Sequence, residues 1–552
     1  MTQPQTSNTH YDAVVVGAGF AGLYMLHRLR LLGLRAHLFE AGDGVGGTWY
    51  WNCYPGARCD VDSMQYSYSW SPQLQQEWQW TERYPAQEEI LRYINHVADR
   101  FDLRRDITLS TRIVGGHWQA AQQRWQVRTE HGQEVSTQFL ITATGCLSES
   151  RLPAIEGLED FKGRIYHTGR WPKTPVDFTG LRVGVMGTGS SGIQAIPQLA
   201  KQAKQLYVFQ RTPNFSVPAW NGPIDPAHQQ DWLQHYPEYR AKARSTRSAI
   251  MYDYGTQSAL EMAPQARLEE MERRWRKGGT NFAHSFNDTF TNRQSNELLS
   301  DFVRGKIRQM VHDPEVAQKL LPHDHAIGTK RICVDTGYYE TYNLPHVKLI
   351  DLRKTPLERF DATAALADGQ RLELDAMVFA TGFDAVTGAL ERLNIVGEHG
   401  RTFKQLWQAG PTSYLGLMTV GFPNLFTITG PGSPSILTNV IISIEQHAEW
   451  IADCLAFMQK QGHTRIDPQQ AAQDRWVGHV QEVAAGTLFV TANSWYMGAN
   501  IPGKPKVFLP YIGGFSTYVA RCEEVVRKGY EGFDFSSPKA AERQAAASSP
   551  SA

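Results

Sequence analysis

The 552 residues carry Lys plus Arg and Asp plus Glu at 55 each, so no basic field draws the chain to nucleic acid or anionic lipid, and a small-molecule partner is expected. A chain this long exceeds one ordinary core and predicts two or three domains. No apolar run is long enough to span a bilayer, Met1–His10 lacks an apolar signal region, and six cysteines show no repeated short spacing, which predicts a cytoplasmic protein with no membrane partner; a monomer is expected.

The first element after the polar start is an apolar, β-branched strand predicted over Tyr11–Gly17. It runs into Gly17-Ala18-Gly19-Phe20-Ala21-Gly22 and a helical pattern over Leu23–Leu32. Gly17 permits the tight turn, Gly19 lets backbone approach a pyrophosphate, and Gly22 lets helix pack on strand, while the helix N-terminus stabilises phosphate charge. The next strand, Ala36–Phe39, ends in Glu40, an acceptor for the ribose hydroxyls of a dinucleotide without a 2′-phosphate. That pattern predicts FAD. Cys53 and Cys59 follow soon after and suggest a redox dithiol. Five residues including Pro55 and Gly56 separate them, and Trp49 stands where a redox cysteine belongs, so both are read as structural.

A strand predicted at Phe139–Gly145 precedes a second start of the same kind, Leu181–Gly187. It leads into Gly187-Thr188-Gly189-Ser190-Ser191-Gly192 and a helix through Leu199. Its second strand, Leu206–Phe209, ends in Gln210-Arg211-Thr212 instead of an acid. A guanidinium there pairs with a 2′-phosphate, which predicts NADPH over NADH. Between Gly222 and Gly328 the sequence turns charged and helix-favouring, the mark of a helical insertion, and a last nucleotide-fold strand is predicted at Met377–Gly382. The expected fold is α/β, with two Rossmann-like dinucleotide-binding domains and parallel sheets. The FAD-binding domain is expected at 8–146 and 383–540, and the NADP-binding domain at 147–221 and 329–382. The insertion at 222–328 is assigned to the NADP domain, with tails at 1–7 and 541–552.

Two longer patterns narrow the function. Phe161 to Pro172 fits FxGxxxHxxxW followed by Pro, through His167 and Trp171, and Gly46 to Asp60 fits GGxWxxxxYPGxxxD at every fixed position. On these motifs the chain, from about Tyr11 to about Phe535, resembles the type I Baeyer–Villiger monooxygenases, closest in wording to phenylacetone, steroid and cyclic-ketone members. The resemblance implies an FAD- and NADPH-dependent enzyme that uses O2 to turn cyclic, aryl or aliphatic ketones into lactones or esters. The route it implies runs through a C4a-peroxyflavin and a tetrahedral adduct, with sulfoxidation as a side activity.

The same resemblance implies residue roles. Arg331 is the catalytic arginine, and Asp60 orients it and balances its charge. Fixed positive charge is what an oxygen anion needs, and arginine does not deprotonate at working pH. FAD is implied at Gly17, Gly19, Phe20, Gly22, Glu40, Gly47, Thr48, Trp49, Asp60 and Tyr66. NADP is implied at Gly187, Thr188, Gly189, Ser190, Ser191, Gly192, Gln210, Arg211, Thr212 and Lys330, with Arg331 and Trp495 toward the nicotinamide half. Ser494 to Lys504 resembles a mobile cover, Pro431 to Val440 resembles the loop that shapes the ketone pocket, and His167 and Trp171 couple the two domains without doing chemistry. No metal is implied. Two alternatives remain open: a flavin monooxygenase that hydroxylates nitrogen or sulfur, against which Trp171-Pro172 and Arg331 count, and a non-enzymatic FAD/NADP redox sensor.

Overall fold

The computed structural model describes residues 9–537; the expected tails at 1–7 and 541–552 lie outside the described residues. In the first sheet, Thr9–Val16 lies parallel to Glu134–Thr142 on one side and to Ala36–Phe39 on the other. Ala13, Val14 and Val15 are fully buried, because helices and strands cover both faces, and this is why the segment reads as a continuous apolar run. The sheet carries the expected parallel nucleotide-fold strands and continues into an antiparallel part. Ile113–Gln119, Arg124–Thr129 and Glu134–Thr142 form an antiparallel meander. Links of a few residues permit only antiparallel return, since a parallel pair needs a long crossover.

The second sheet is fully parallel, in the order Val347–Asp351, Gln205–Gln210, Arg182–Met186, Ala376–Phe379, Arg164–His167. Its strands and those of the first sheet stop short of the glycines expected to end them. Gly17, Gly145, Gly187 and Gly382 all take positive φ (105, 73, 112 and 85°), so each turns the chain out of the ladder one or more residues after the last strand position.

Residues 222–328 supply the helices Pro226–Arg244, Pro264–Lys277, Arg293–Met310 and Pro314–Leu320. The flanking strands Ser216–Pro218 and Cys333–Asp335 pair in parallel and close the neck of this insertion. Its apolar contacts are divided between two cores. Trp232, Tyr236 and Ile250 join the core beneath the first sheet, whereas Met271, Trp275, Leu299 and Val303 join that of the second. The first of these helices is further tied to the first-sheet side by Arg240, which donates to the carbonyls of Gln65 (2.7 Å) and Met64 (3.0 Å) and to Ser67 Oγ (2.6 Å). Arg244 adds an ion pair to the fully buried Glu445 at 2.9 Å. The insertion is thus a wedge between the two nucleotide folds.

Candidate functional site

At the first loop, the Gly17 amide donates to the Phe39 carbonyl at 2.9 Å, which fixes the turn. A Cβ on Gly17 would lie 2.7 Å from the Ala143 carbonyl oxygen and one on Gly22 only 1.8 Å from that of Gly17, so both glycines are required by packing. Helix Phe20–Leu31 begins at Gly19 with no side-chain cap and no acidic residue in its first turn. An uncapped start of this kind leaves amides free for the pyrophosphate of a dinucleotide. The Phe20 side chain turns inward, edge-on to Tyr66 and Tyr68 at 5.7 and 5.0 Å, leaving its backbone toward the loop. Glu40 is buried, and its two oxygens accept from the Ala18 and Gly42 amides at 2.7 and 2.8 Å. Burial raises its pKa against the pull of those two donors. Gly47 caps the short helix Thr48–Trp51, where the Trp49 indole donates to Tyr66 Oη at 3.0 Å.

The second loop repeats this geometry with different chemistry. A Cβ on Gly187 would meet the Ala380 carbonyl oxygen at 2.4 Å and one on Gly192 that of Gly187 at 2.0 Å, while one on Gly189 would meet nothing within 4 Å. Helix Ser190–Ala200 also starts without a side-chain cap or first-turn acid. Thr188 Oγ1 donates to the Thr212 carbonyl at 2.8 Å, holding the loop against the end of the second strand. Gln210 is fully buried and donates to the Lys319 carbonyl at 2.8 Å, so its side chain supports the strand end and is not presented to the loop, a correction to its expected role. Arg211 is exposed. Lys330 Nζ lies 3.7 Å from Asp324, and its pKa is lowered by burial, opposed by Asp324 and reinforced by the nearby charge of Arg211. Arg211 and Lys330 therefore share one electropositive region beside the loop. Two uncapped helix starts, each behind a glycine turn, fit two dinucleotides, and at Gly189 the backbone is open to an approaching group.

Arg331 and Asp60 join the two folds. Nε and Nη2 of Arg331 donate to the two carboxylate oxygens of Asp60 at 2.7 and 2.8 Å, and Nη1 donates to the Ile436 carbonyl at 3.1 Å. Burial works against the guanidinium charge, but the Coulombic attraction and hydrogen bonds of Asp60 outweigh it and raise the pKa well above the ordinary value. Arg331 borders a cavity also walled by Tyr252, Thr280, His284 and Leu437. Tyr496 closes one side of it; burial raises its phenol to about 12, against the pull of Arg331. The ring of Trp495 packs 4.3 Å from that of Tyr496. This segment is held down where Lys504 pairs with Asp384 at 2.6 Å and Asn500 donates to the Phe383 carbonyl at 2.7 Å.

His167 accepts from the Gly169 amide at 3.0 Å and faces Thr381 at 3.5 Å. Burial lowers its pKa to about 4, so the ring is neutral near pH 7 and serves a structural junction. Trp171 is buried beside Tyr166 and Phe178, and its carbonyl accepts from the Cys53 thiol at 3.7 Å. All six cysteines are free thiols. The wall residues Arg247, Tyr252, Thr280 and His284 come from the insertion and were missed in the sequence, where no motif marks them.

Two glycine-loop folds meeting over an arginine–carboxylate pair define a flavoprotein monooxygenase with two dinucleotide-binding domains. A family model described as FMO-like, flavin-binding monooxygenase-like, matches residues 11–219. A Baeyer–Villiger monooxygenase from Pseudooceanicola batsensis is 41% identical, covering 95% of this chain and 97% of that protein. A phenazine N-monooxygenase from Lysobacter antibioticus is 40% identical over 95% of this chain and 97% of its own length. The solved structure of oxidised steroid monooxygenase bound to NADP matches with a TM-score of 0.92 and 50% identity, covering 96% of this chain and 99% of that one. The chain belongs to the Baeyer–Villiger monooxygenase family. Among the described residues no helix is long and apolar enough to cross a membrane.

Proposed function

We propose that the protein converts ketones to esters or lactones with NADPH and O2, in a site where Arg331 is the catalytic residue and Asp60 orients it. The observation that carries this reading is that Arg331, held at two points by Asp60, lines a cavity walled by the insertion and by residues 434–514. FAD, when bound, supplies hydride acceptance from NADPH and electron transfer to O2. The chain supplies the rest. The loop Gly17 to Gly22 and Glu40 hold the flavin dinucleotide, supported by Gly47, Thr48, Trp49 and Tyr66. The loop Gly187 to Gly192 holds the pyrophosphate of NADP, and Arg211, Thr212 and Lys330 take its 2′-phosphate.

Arg331 keeps a fixed positive charge where negative charge develops on oxygen during transfer, a stabilisation that is strongest where water is excluded. Tyr496 and Trp495 exclude water from that side, as a covering segment does in a gated site. The domains are proposed as 8–146 with 383–540 for FAD and 147–221 with 329–382 for NADP, with 222–328 shared between their cores. The protein is proposed to act as a cytoplasmic monomer on small molecules, without nucleic acid or membrane.

The test is ketone-dependent NADPH oxidation by the purified holoenzyme, with O2 uptake and ester or lactone measured together. Equal amounts of all three support the reading. NADPH oxidation that no ketone stimulates, over cyclic, aryl and long-chain ketones, overturns it. The likeness to a phenazine N-monooxygenase favours a second reading, oxidation at an aromatic nitrogen, which a phenazine assayed in the same experiment distinguishes.

A further inference from the structure

We propose that the cavity beside Arg331 takes ketones bearing an anionic group such as a carboxylate, and that Arg247 at its mouth binds that group. This rests on the ketone-oxidising reading above. The cavity wall contains two arginines, Arg247 and Arg331, and no aspartate or glutamate. Arg331 is held at Nε and Nη2 by Asp60 at 2.7 and 2.8 Å and at Nη1 by the Ile436 carbonyl, and its charge serves the reacting oxygen in the reading above, so it is not the partner for a substrate's acid. Arg247 is different: its guanidinium donates to the Ile512 carbonyl at 3.4 Å, and among the described residues no carboxylate pairs with it. A guanidinium presented to a cavity without a counter-ion keeps most of its donors for a ligand.

The backbone and stem of Arg247 are fixed, while its guanidinium reaches an exposed edge of the cavity. Its carbonyl accepts from the Phe515 amide at 2.8 Å, and its stem crosses Gly514, where an added Cβ would stand 3.1 Å from Arg247 Cγ. Gly514 has φ of 105°, so glycine serves both the turn and the arginine's passage. Two helices start at the same wall, Phe515–Arg527 after Gly514 and Val440–Gln461 just after Thr438, and neither has an acidic residue in its first turn. Their positive ends add to the potential of Arg247. The remaining wall suits an apolar body: Tyr252 and Phe290 pack against His284 with ring centroids 4.9 and 5.4 Å away. The arrangement favours a ligand with its carbonyl near Arg331, its hydrocarbon against the aromatics and its acid at Arg247.

The experiment compares 4-(3-oxobutyl)benzoate with its methyl ester as substrates of the holoenzyme, in the parent, Arg247→Gln and Arg247→Lys. Binding of the ketone-free acid 4-butylbenzoate is followed separately by the change in flavin absorbance. In the parent the acid should exceed the ester in kcat/KM by about tenfold, the lower edge of what a charged hydrogen bond contributes, and added salt should shrink the ratio. The ratio should collapse toward one in Arg247→Gln and be partly kept in Arg247→Lys, with 4-butylbenzoate affinity following the same order. Equal handling of acid and ester by the parent, or a preference that survives Arg247→Gln, overturns the proposal while leaving ketone oxidation standing. If neither ketone is oxidised but 4-butylbenzoate binding still depends on Arg247, the anion site stands and the ketone-oxidising reading falls.

Discussion

The two glycine loops share a backbone and differ in charge. In each, a positive-φ glycine follows the first strand, a later glycine lies against that glycine's carbonyl, and an uncapped helix begins between them. The second strand then ends in a buried acid, Glu40, in one fold and in Gln210 and the exposed Arg211 in the other. The shared backbone geometry suits a dinucleotide in each fold, and in the reading proposed above the side chain at the strand end selects which one.

Breaking one loop at a time has the largest expected effect. An added Cβ meets backbone oxygen at 1.8 Å in Gly22→Ala and at 2.0 Å in Gly192→Ala, and backbone cannot step aside as a flexible side chain can. Gly22→Ala should purify with almost no flavin, whereas Gly192→Ala should keep flavin and lose reduction by NADPH. The flavin-to-protein absorbance ratio and anaerobic bleaching by NADPH read the two separately. Loss of flavin from both variants would mean that the two folds do not divide the cofactors as proposed.

Removing the group that joins the folds comes next. Arg331→Ala leaves the contacts of Gly17, Gly22 and Glu40 untouched, so flavin should remain. Loss of one preorganised stabiliser of developing negative charge should cut ester formation by about a hundredfold to a thousandfold, with electrons diverted to hydrogen peroxide. Chromatographic ester yield and a peroxide assay measure both branches; parent yields in the variant would remove Arg331 from the chemistry.

The strand-end charge can then be tested alone. Arg211→Ala should lower kcat/KM for NADPH by roughly tenfold to a hundredfold, as expected for losing a charged hydrogen bond, and change NADH little. Equal losses with both nucleotides would separate Arg211 from the 2′-phosphate.

Much of this contrast was legible in the sequence because glycine geometry is local. Gly17, Gly22, Gly187 and Gly192 stand at fixed offsets from apolar strands, and the next strand supplies Glu40 or Arg211 at its end. The meeting of Asp60 with Arg331 was legible only through the family motifs, since 271 residues separate them and no local period connects them. What the sequence hid depends on tertiary placement. Gln210 reads as a cofactor contact by position, yet its side chain turns inward to Lys319 because the insertion packs against that strand end. The charged, helix-favouring composition of 222–328 predicts helices but not which core each of them meets. The division of Trp232 and Trp275 between two cores, and with it the cavity wall of Tyr252 and His284, was therefore invisible.

The smallest expected effect sharpens the comparison from inside the second fold. Glu40, in the first, is buried with two backbone donors and has Arg112 acting on it; Asp335, on the strand Cys333–Asp335, is buried with backbone donors and no cation among the groups acting on it. Its oxygens accept from the Gly337 and Tyr338 amides at 3.2 and 3.1 Å and from Ser216 Oγ. Burial dominates and raises its pKa to about 6 from 3.8. The folded state therefore holds a proton that the unfolded chain releases as pH rises through about 4. The stability this contributes is complete below about pH 4 and is lost as pH rises through about 6. At about 1.4 kcal/mol per unit, the loss is at most about 3 kcal/mol. Asp335→Asn resembles the protonated acid in shape and cannot ionise; its Oδ1 keeps both amide donors, and Ser216 can rotate to accept from Nδ2. Relative to the parent, the variant should be a few degrees higher in Tm at pH 8 and should show about half of that gain at pH 5, measured by flavin fluorescence on heating. A variant less stable than the parent at pH 8 would mean that the ionised carboxylate is itself stabilised there, and that the second fold, like the first, compensates its buried acid.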